Sequence, residues 1–201
     1  GAGRVNLNMV DDNIDFLIFT GHKDLYGLPG TGGLCSLKEL DIEPLVQGGT
    51  GVHSETFTNP DIVPEKYEAG TLNMPSIWSL KAGIEYIEEN KREIIDKEKK
   101  LYSICLEELK KLPNVIVYGS DNIERNLSII SFNIDGVDCQ KVSYYLSENN
   151  ICVRSGHHCN ILAHTNLGTE NTGVVRVSLD YHNSLDEVEK FINVIKKMIK
   201  G

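Results

Sequence analysis

Two residues of this sequence are best placed for covalent chemistry: a lysine closing an apolar run and a cysteine ending a run of histidines. Lys23 follows Asp15-Phe-Leu-Ile-Phe-Thr20, stands beside His22, and lies in a 21–33 segment that holds five glycines. Burial and neighbouring cations lower an ammonium pKa, and a lysine so treated is an amine nucleophile of the Schiff-base kind. In a solvated turn the same residue is an ordinary surface lysine, and the segment alone leaves both readings open. Its loop Gly30-Thr31-Gly32-Gly33 lacks the Lys-Ser/Thr pair with which a nucleotide loop grips phosphate and metal.

The second centre is Arg154-Ser155-Gly156-His157-His158-Cys159, with His164 shortly after it. Nearby cations and a helix start favour thiolate, which makes Cys159 the nucleophile candidate among cysteines 35, 105, 139, 152 and 159. Cys35, Cys105 and Cys152 fall in strand or helix patterns and are expected as small buried hydrophobes, while Cys139, near a helix start, is undecided. His157, His158, Cys159 and His164 are zinc-ligand types, but adjacent ligands in one tight run rarely close a tetrahedron, so no metal is assigned. Arg176, within Val174-Val-Arg-Val-Ser-Leu179, alternates away from Val175 and Val177. It is either a fork for a carboxylate or an exposed charge on an edge strand.

These residues need elements to hold them. Residues 15–20 read as a buried strand, 33–36 as a short strand, and 44–55, with Gly48-Gly49 and Gly51, as a hairpin or exposed turn. Residues 57–73, with Pro60 and Pro64, are irregular. From Met74 to about Leu112 apolar residues recur at helical spacing, which predicts one long helix or two nearly collinear ones. The Glu/Lys run at 88–100 is its solvated face. Strands follow at 115–118, 127–134, 151–154 and 174–179, with helices at 138–148 and 184–200 and a short one after 154, an α+β arrangement of sheet and helices. A boundary is expected within the long helix near 85–95.

With 201 residues and 40% hydrophobic content, the chain can build one good-sized core or two small ones. The formal charge of -9, from 20 Lys and Arg against 29 Asp and Glu, disfavours nucleic acid and anionic membranes as partners. No stretch approaches the roughly 18 apolar residues of a spanning helix, and the first residues lack a signal-peptide pattern. A soluble, cytoplasmic protein is expected. Five cysteines without framework spacing do not suggest a disulfide scaffold.

Taken together, several motifs in order resemble the pyridoxal-phosphate-dependent cysteine desulfurases and selenocysteine lyases of the class V aminotransferase superfamily. They are Ile14-Asp-Phe-Leu-Ile-Phe-Thr-Gly-His-Lys23, Leu25-Tyr-Gly27, Gly30-Thr-Gly-Gly-Leu34, Pro44-Leu-Val-Gln-Gly-Gly-Thr-Gly51, Pro64-Glu-Lys-Tyr-Glu-Ala-Gly-Thr-Leu-Asn73, Val153-Arg-Ser-Gly-His-His-Cys159 and Val175-Arg-Val-Ser178. The resemblance implies an α/β protein of the PLP-dependent transferase fold type I. Residues 1–85 would be the C-terminal part of the large cofactor domain and 86–201 the small α+β C-terminal domain carrying the cysteine loop.

The resemblance further implies that Lys23 bonds pyridoxal phosphate and moves the Cα proton, with Thr20 and His22 on the phosphate. Thr71 would reach the phosphate of a neighbouring subunit, so a homodimer is expected. Arg176 would clamp the substrate carboxylate, Gly48 and Gly49 would approach the partner's substrate site, and Arg154 and His158 would stand near the cysteine loop. Cys159 would take sulfur from L-cysteine as a persulfide, leaving L-alanine and passing the sulfur to an acceptor protein. An aminotransferase or selenocysteine lyase on the same fold, or a non-catalytic dimerisation module, are the alternatives. In the family's glycine loop proline follows glycine directly, whereas Leu28 here separates Gly27 from Pro29. The family's upstream aspartate, histidine and glutamine around the cofactor ring have no counterpart, so the chain is expected to be a C-terminal portion, incomplete as a catalyst by itself.

Overall fold

Between Met74 and Lys110 the only proline is Pro75, which sits in the first turn, where a missing N–H costs nothing, and the chain forms one unbroken helix, α1 (Met74–Lys110). Asn73 Oδ1 accepts the Ser76 N–H at 3.3 Å and caps it. The computed structural model describes residues 1–39, 42–53, 55–120, 122 and 126–200. It divides into two compact units, Gly1–Asn90 and Lys91–Gly201, and the division falls inside α1.

In the first unit β1 (Phe16–Thr20) and β2 (Gly32–Ser36) form an antiparallel ribbon with Thr20 opposite Gly32 and Phe16 opposite Ser36. The expected buried strand is not found: Ile18 is 75% exposed and Phe16 is also exposed. A strand is buried only when layers cover both of its faces, and among the described residues this sheet has two strands. Cys35, on β2, is exposed for the same reason, against expectation. The described residues between 44 and 73 form no strand, and Gly48-Gly49 lies in an exposed irregular stretch that is neither a hairpin nor a turn. Leu25, Leu80 and Ile87 supply this unit's buried apolar side chains, and the ring of Tyr26 meets Tyr86 edge-on at 6.0 Å.

The second unit holds an antiparallel sheet of β3 (Val115–Tyr118), β4 (Ile129–Ile134), β5 (Arg154–Gly156) and β6 (Val174–Ser178) in the order β3-β4-β6-β5. Its core joins Leu109 of α1 and Phe132 of β4 to Val142 and Leu146 of α2 (Cys139–Glu148) and Ile195 of α4 (Leu185–Lys200). Phe132 meets Phe191 edge-on at 6.0 Å. Asp138 caps α2 by accepting the N–H groups of Gln140 and Lys141 at 2.7 and 3.3 Å. Between β5 and β6 lies α3 (Ile161–Leu167), capped by Asn160 and ended by Gly168 at φ 67°.

The strand expected at 151–154 begins only at Arg154. The Ile151 N–H donates to the Leu146 carbonyl at 3.0 Å, which ties this stretch to the end of α2 and makes residues 151–153 a link. Ile151 and Val153 pack on the core from that link, and alternation turns Cys152 outward, so it is exposed where burial was expected. Cys105 is fully buried, and burial pushes its thiol up to about 12. Cys139 is buried too, its Sγ donating to the Thr172 carbonyl at 3.1 Å. Among the described residues no helix is long and apolar enough to cross a membrane.

Candidate functional site

Lys23 is set by a closed loop at the end of β1. The Gly21 N–H donates to the Thr31 carbonyl at 2.8 Å, the Gly27 N–H to the Gly21 carbonyl at 2.9 Å, and the Tyr26 N–H to the Lys23 carbonyl at 2.9 Å. Tyr26 takes the left-handed φ of 57° that closes this turn. Thr20 and Lys23 line a hollow of about 350 Å³ together with Leu17, Phe19 and Asp24. His22 is exposed beside them. A hydroxyl, an imidazole and an amine at positions 20, 22 and 23 form a donor set able to bond a carbonyl carbon and hold a phosphate.

Elsewhere in the first unit, the structure brings together two segments that are distant in sequence. The Gly70 N–H donates to the Gly49 carbonyl at 2.9 Å, and the Gly48 N–H donates to Asn59 Oδ1 at 3.1 Å. Gly48, Gly49 and Thr71 therefore share one exposed patch.

The second unit assembles the remaining candidates. β6 lies between β4 and β5, with Arg176 opposite Ser131 on one side and Arg154 on the other. Arg176 is thus on an interior strand, and the edge-strand alternative is overturned. Its Nε is buried and has no hydrogen-bond partner among the described residues. Two guanidiniums facing each other across a strand pair repel, and a buried donor without an acceptor is costly, so this pair calls for an anion.

The strand β5 then turns at Gly156 into the cysteine loop. His158 Nε2 donates to the Arg154 carbonyl at 3.3 Å, and His158 and Cys159 have consecutive left-handed φ values of 53° and 60°. Cys159 is exposed on this turn. Burial holds His158 below the usual imidazole pKa, helped by the charges of Arg176, His164 and Arg154 and opposed by the hydrogen bond to the Arg154 carbonyl. Among the described residues no three His, Cys, Asp or Glu side chains converge as metal ligands would.

Lys23, Thr20, His22, Gly48, Gly49 and Thr71 belong to the first unit, and Arg154, His158, Cys159 and Arg176 to the second. By residue type His164 is a zinc-ligand candidate, and Thr169 belongs to no motif. In the structure the two are buried and bonded, His164 Nδ1 lying 2.8 Å from Thr169 Oγ1. The available signal was a histidine on a short helix with a threonine just beyond its glycine cap.

The chain matches the family model described as aminotransferase class-V over residues 1–191. It is 37% identical over 208 residues to a probable cysteine desulfurase of Pyrococcus abyssi (strain GE5 / Orsay), covering 100% of this chain and 50% of that protein. The apo structure of a cysteine desulfurase from Thermococcus onnurineus NA1 superposes with a TM-score of 0.88 at 36% identity, covering 100% of this chain and 50% of that one. The cysteine desulfurase CsdA (S-sulfonic acid) from Escherichia coli gives 0.87 at 28% identity with the same coverage. The mixed α/β fold is that of these structures. The chain spans about half the length of the curated relatives it matches.

Proposed function

The chain belongs to the class-V aminotransferase family, and on that premise we propose that it is part of a pyridoxal-phosphate-dependent cysteine desulfurase of the cytoplasm. The reaction takes sulfur from L-cysteine, leaves L-alanine and carries the sulfur as a persulfide for an acceptor protein. Arg176 carries the reading: a guanidinium on an interior strand, opposite Arg154, with a buried Nε that lacks an acceptor. An amino-acid carboxylate supplies that acceptor and the charge that relieves the facing pair.

The donor set at the end of β1 fits pyridoxal phosphate. Lys23 would hold it covalently through its amine, with Thr20 and His22 on the phosphate, beside a hollow lined by Thr20 and Lys23. When bound, that group supplies the electron sink for a carbanion at the substrate Cα. Lys23, once released by substrate, would move the Cα proton. Arg176 and Arg154 would fix the carboxylate and so the orientation of the substrate. Cys159 Sγ would bond the substrate sulfur as the C–S bond breaks with its electrons passing to the carbon skeleton, and a proton added there leaves alanine. The patch of Gly48, Gly49 and Thr71 is exposed, which supports its use against a second copy of the chain in a homodimer.

The test is a pyridoxal phosphate titration of this chain followed by visible absorbance, borohydride reduction and peptide mapping, with Lys23→Ala as control. A saturable adduct fixed by reduction on Lys23 is the expected result. Adducts spread over several surface lysines, unchanged in Lys23→Ala, would remove Lys23 from the proposal.

A further inference from the structure

Two direct ties join the turn that carries Cys159 to the segment that leads into β6, and two more run through α3. His157 Nε2 donates to the Glu170 carbonyl at 2.8 Å, and the His157 ring meets His164 edge-on at 5.0 Å. Gly156 and Gly173 approach so closely that a Cβ on Gly173 would lie 2.9 Å from the Gly156 Cα. The fourth tie is the pair His164 and Thr169, 4% and 1% exposed and 2.8 Å apart. The His158 ring also stacks on His164, with centroids 6.1 Å apart and planes 26° from parallel.

This arrangement answers a problem posed by the turn. His158 and Cys159 both hold a left-handed φ, which side chains other than glycine rarely adopt, and such a conformation persists only where its surroundings over-determine it. Helix α3 does not need the His164–Thr169 bond for its own ends, since Asn160 caps its start and Gly168 closes it. The bond instead crosses from α3 to the 168–173 segment, whose Gly173 N–H donates to the Thr169 carbonyl at 2.8 Å just before β6 begins.

We propose that His164 and Thr169 are positioning residues: their hydrogen bond locks α3 to the segment before β6, and the rings of His157 and His158 seated on His164 hold Cys159 in register with the strand that carries Arg176. The inference rests on the reading of Cys159 as the nucleophile. A loop released from this lock no longer holds the Cys159 thiol in a fixed relation to β5 and β6.

The experiment measures alkylation of each cysteine by iodoacetamide across pH, resolved by peptide mass spectrometry, in wild type, Thr169→Val and Thr169→Ser. Valine keeps the buried shape and removes the hydroxyl, while serine keeps the hydroxyl. The alkylation rate of Cys159 in Thr169→Val should differ roughly tenfold from wild type at neutral pH, the size of change that one buried hydrogen bond can produce. Thr169→Ser should restore the wild-type rate. Cys35 and Cys152 are exposed internal references that should not change, and the buried Cys105 and Cys139 should stay protected. An unchanged Cys159 profile in Thr169→Val overturns the proposal. Should that variant unfold the unit, seen as reaction of Cys105 and Cys139, histidine ¹⁵N shifts of the wild type decide instead. A His164 Nδ1 resonance displaced from the position of an unbonded imidazole supports the lock, and one at that position overturns it. Separately, Cys159→Ala with undiminished sulfide release from L-cysteine, measured on a cofactor-loaded wild type that turns over, would sink the nucleophile reading and leave the loop result standing.

Discussion

Gly83, in the first unit's part of α1, lies so close to the backbone carbonyl of Leu25 that a Cβ at position 83 would overlap that oxygen. Leu25 follows Lys23 by two residues, so the helix backbone itself is the wall against which the lysine loop is set. In an open helix Gly→Ala gains about 1 kcal/mol. Here the added methyl meets backbone, which cannot swing aside, and Gly83→Ala should instead destabilise the first unit by roughly 1–3 kcal/mol. Trp78, the only tryptophan, lies in this unit and reports its unfolding in urea by fluorescence. A midpoint equal to or above wild type would contradict the contact.

The carboxylate role proposed for Arg176 would come at the expense of stability. Arg176→Met removes both the repulsion from Arg154 and the unpaired buried Nε, and should raise the stability of the second unit by about 1 kcal/mol. Millimolar L-alanine should raise the melting temperature of the wild type and leave that of Arg176→Met unchanged. A lower melting temperature in the variant without ligand would show that Arg176 has a partner in solution.

His158 makes stability depend on pH in a definite direction. Its folded pKa lies below the ordinary imidazole value, chiefly through burial, so as pH falls through that value the unfolded chain takes up a proton that the folded one does not. Its contribution is full above the unfolded pKa of about 6.5 and is lost as pH drops below it. The melting temperature should therefore fall between pH 7.5 and 5.5, and His158→Gln should flatten that fall. An equal slope in the variant would assign the effect to other groups.

Thiol reactivity should sort the five cysteines by exposure. At neutral pH Cys35, Cys152 and Cys159 should alkylate within minutes in the native state, while Cys105, pushed up to about 12 by burial, and Cys139 should react only on unfolding. Early labelling of Cys105 would mean that the second unit's core opens under native conditions.

What could be read without the structure was local. The helical period after Pro75, the apolar run at 115–118, the alternation at 174–178, and Asp138 ahead of α2 each announce their element within a few residues, because backbone preference and side-chain periodicity act over one or two turns. The motifs likewise named Lys23, Cys159 and Arg176 as candidates without placing them.

Neighbourhood decided the rest. That β6 runs between β4 and β5, that Arg154 faces Arg176, that Cys35 and Cys152 point to solvent, and that Ile151 is tied to the end of α2 all depend on which segments lie side by side. The His164–Thr169 bond is the clearest instance: nothing in either residue's type says that it will be buried. Burial and hydrogen-bond satisfaction are properties of what surrounds a side chain, and the chain assembles those surroundings only when it folds.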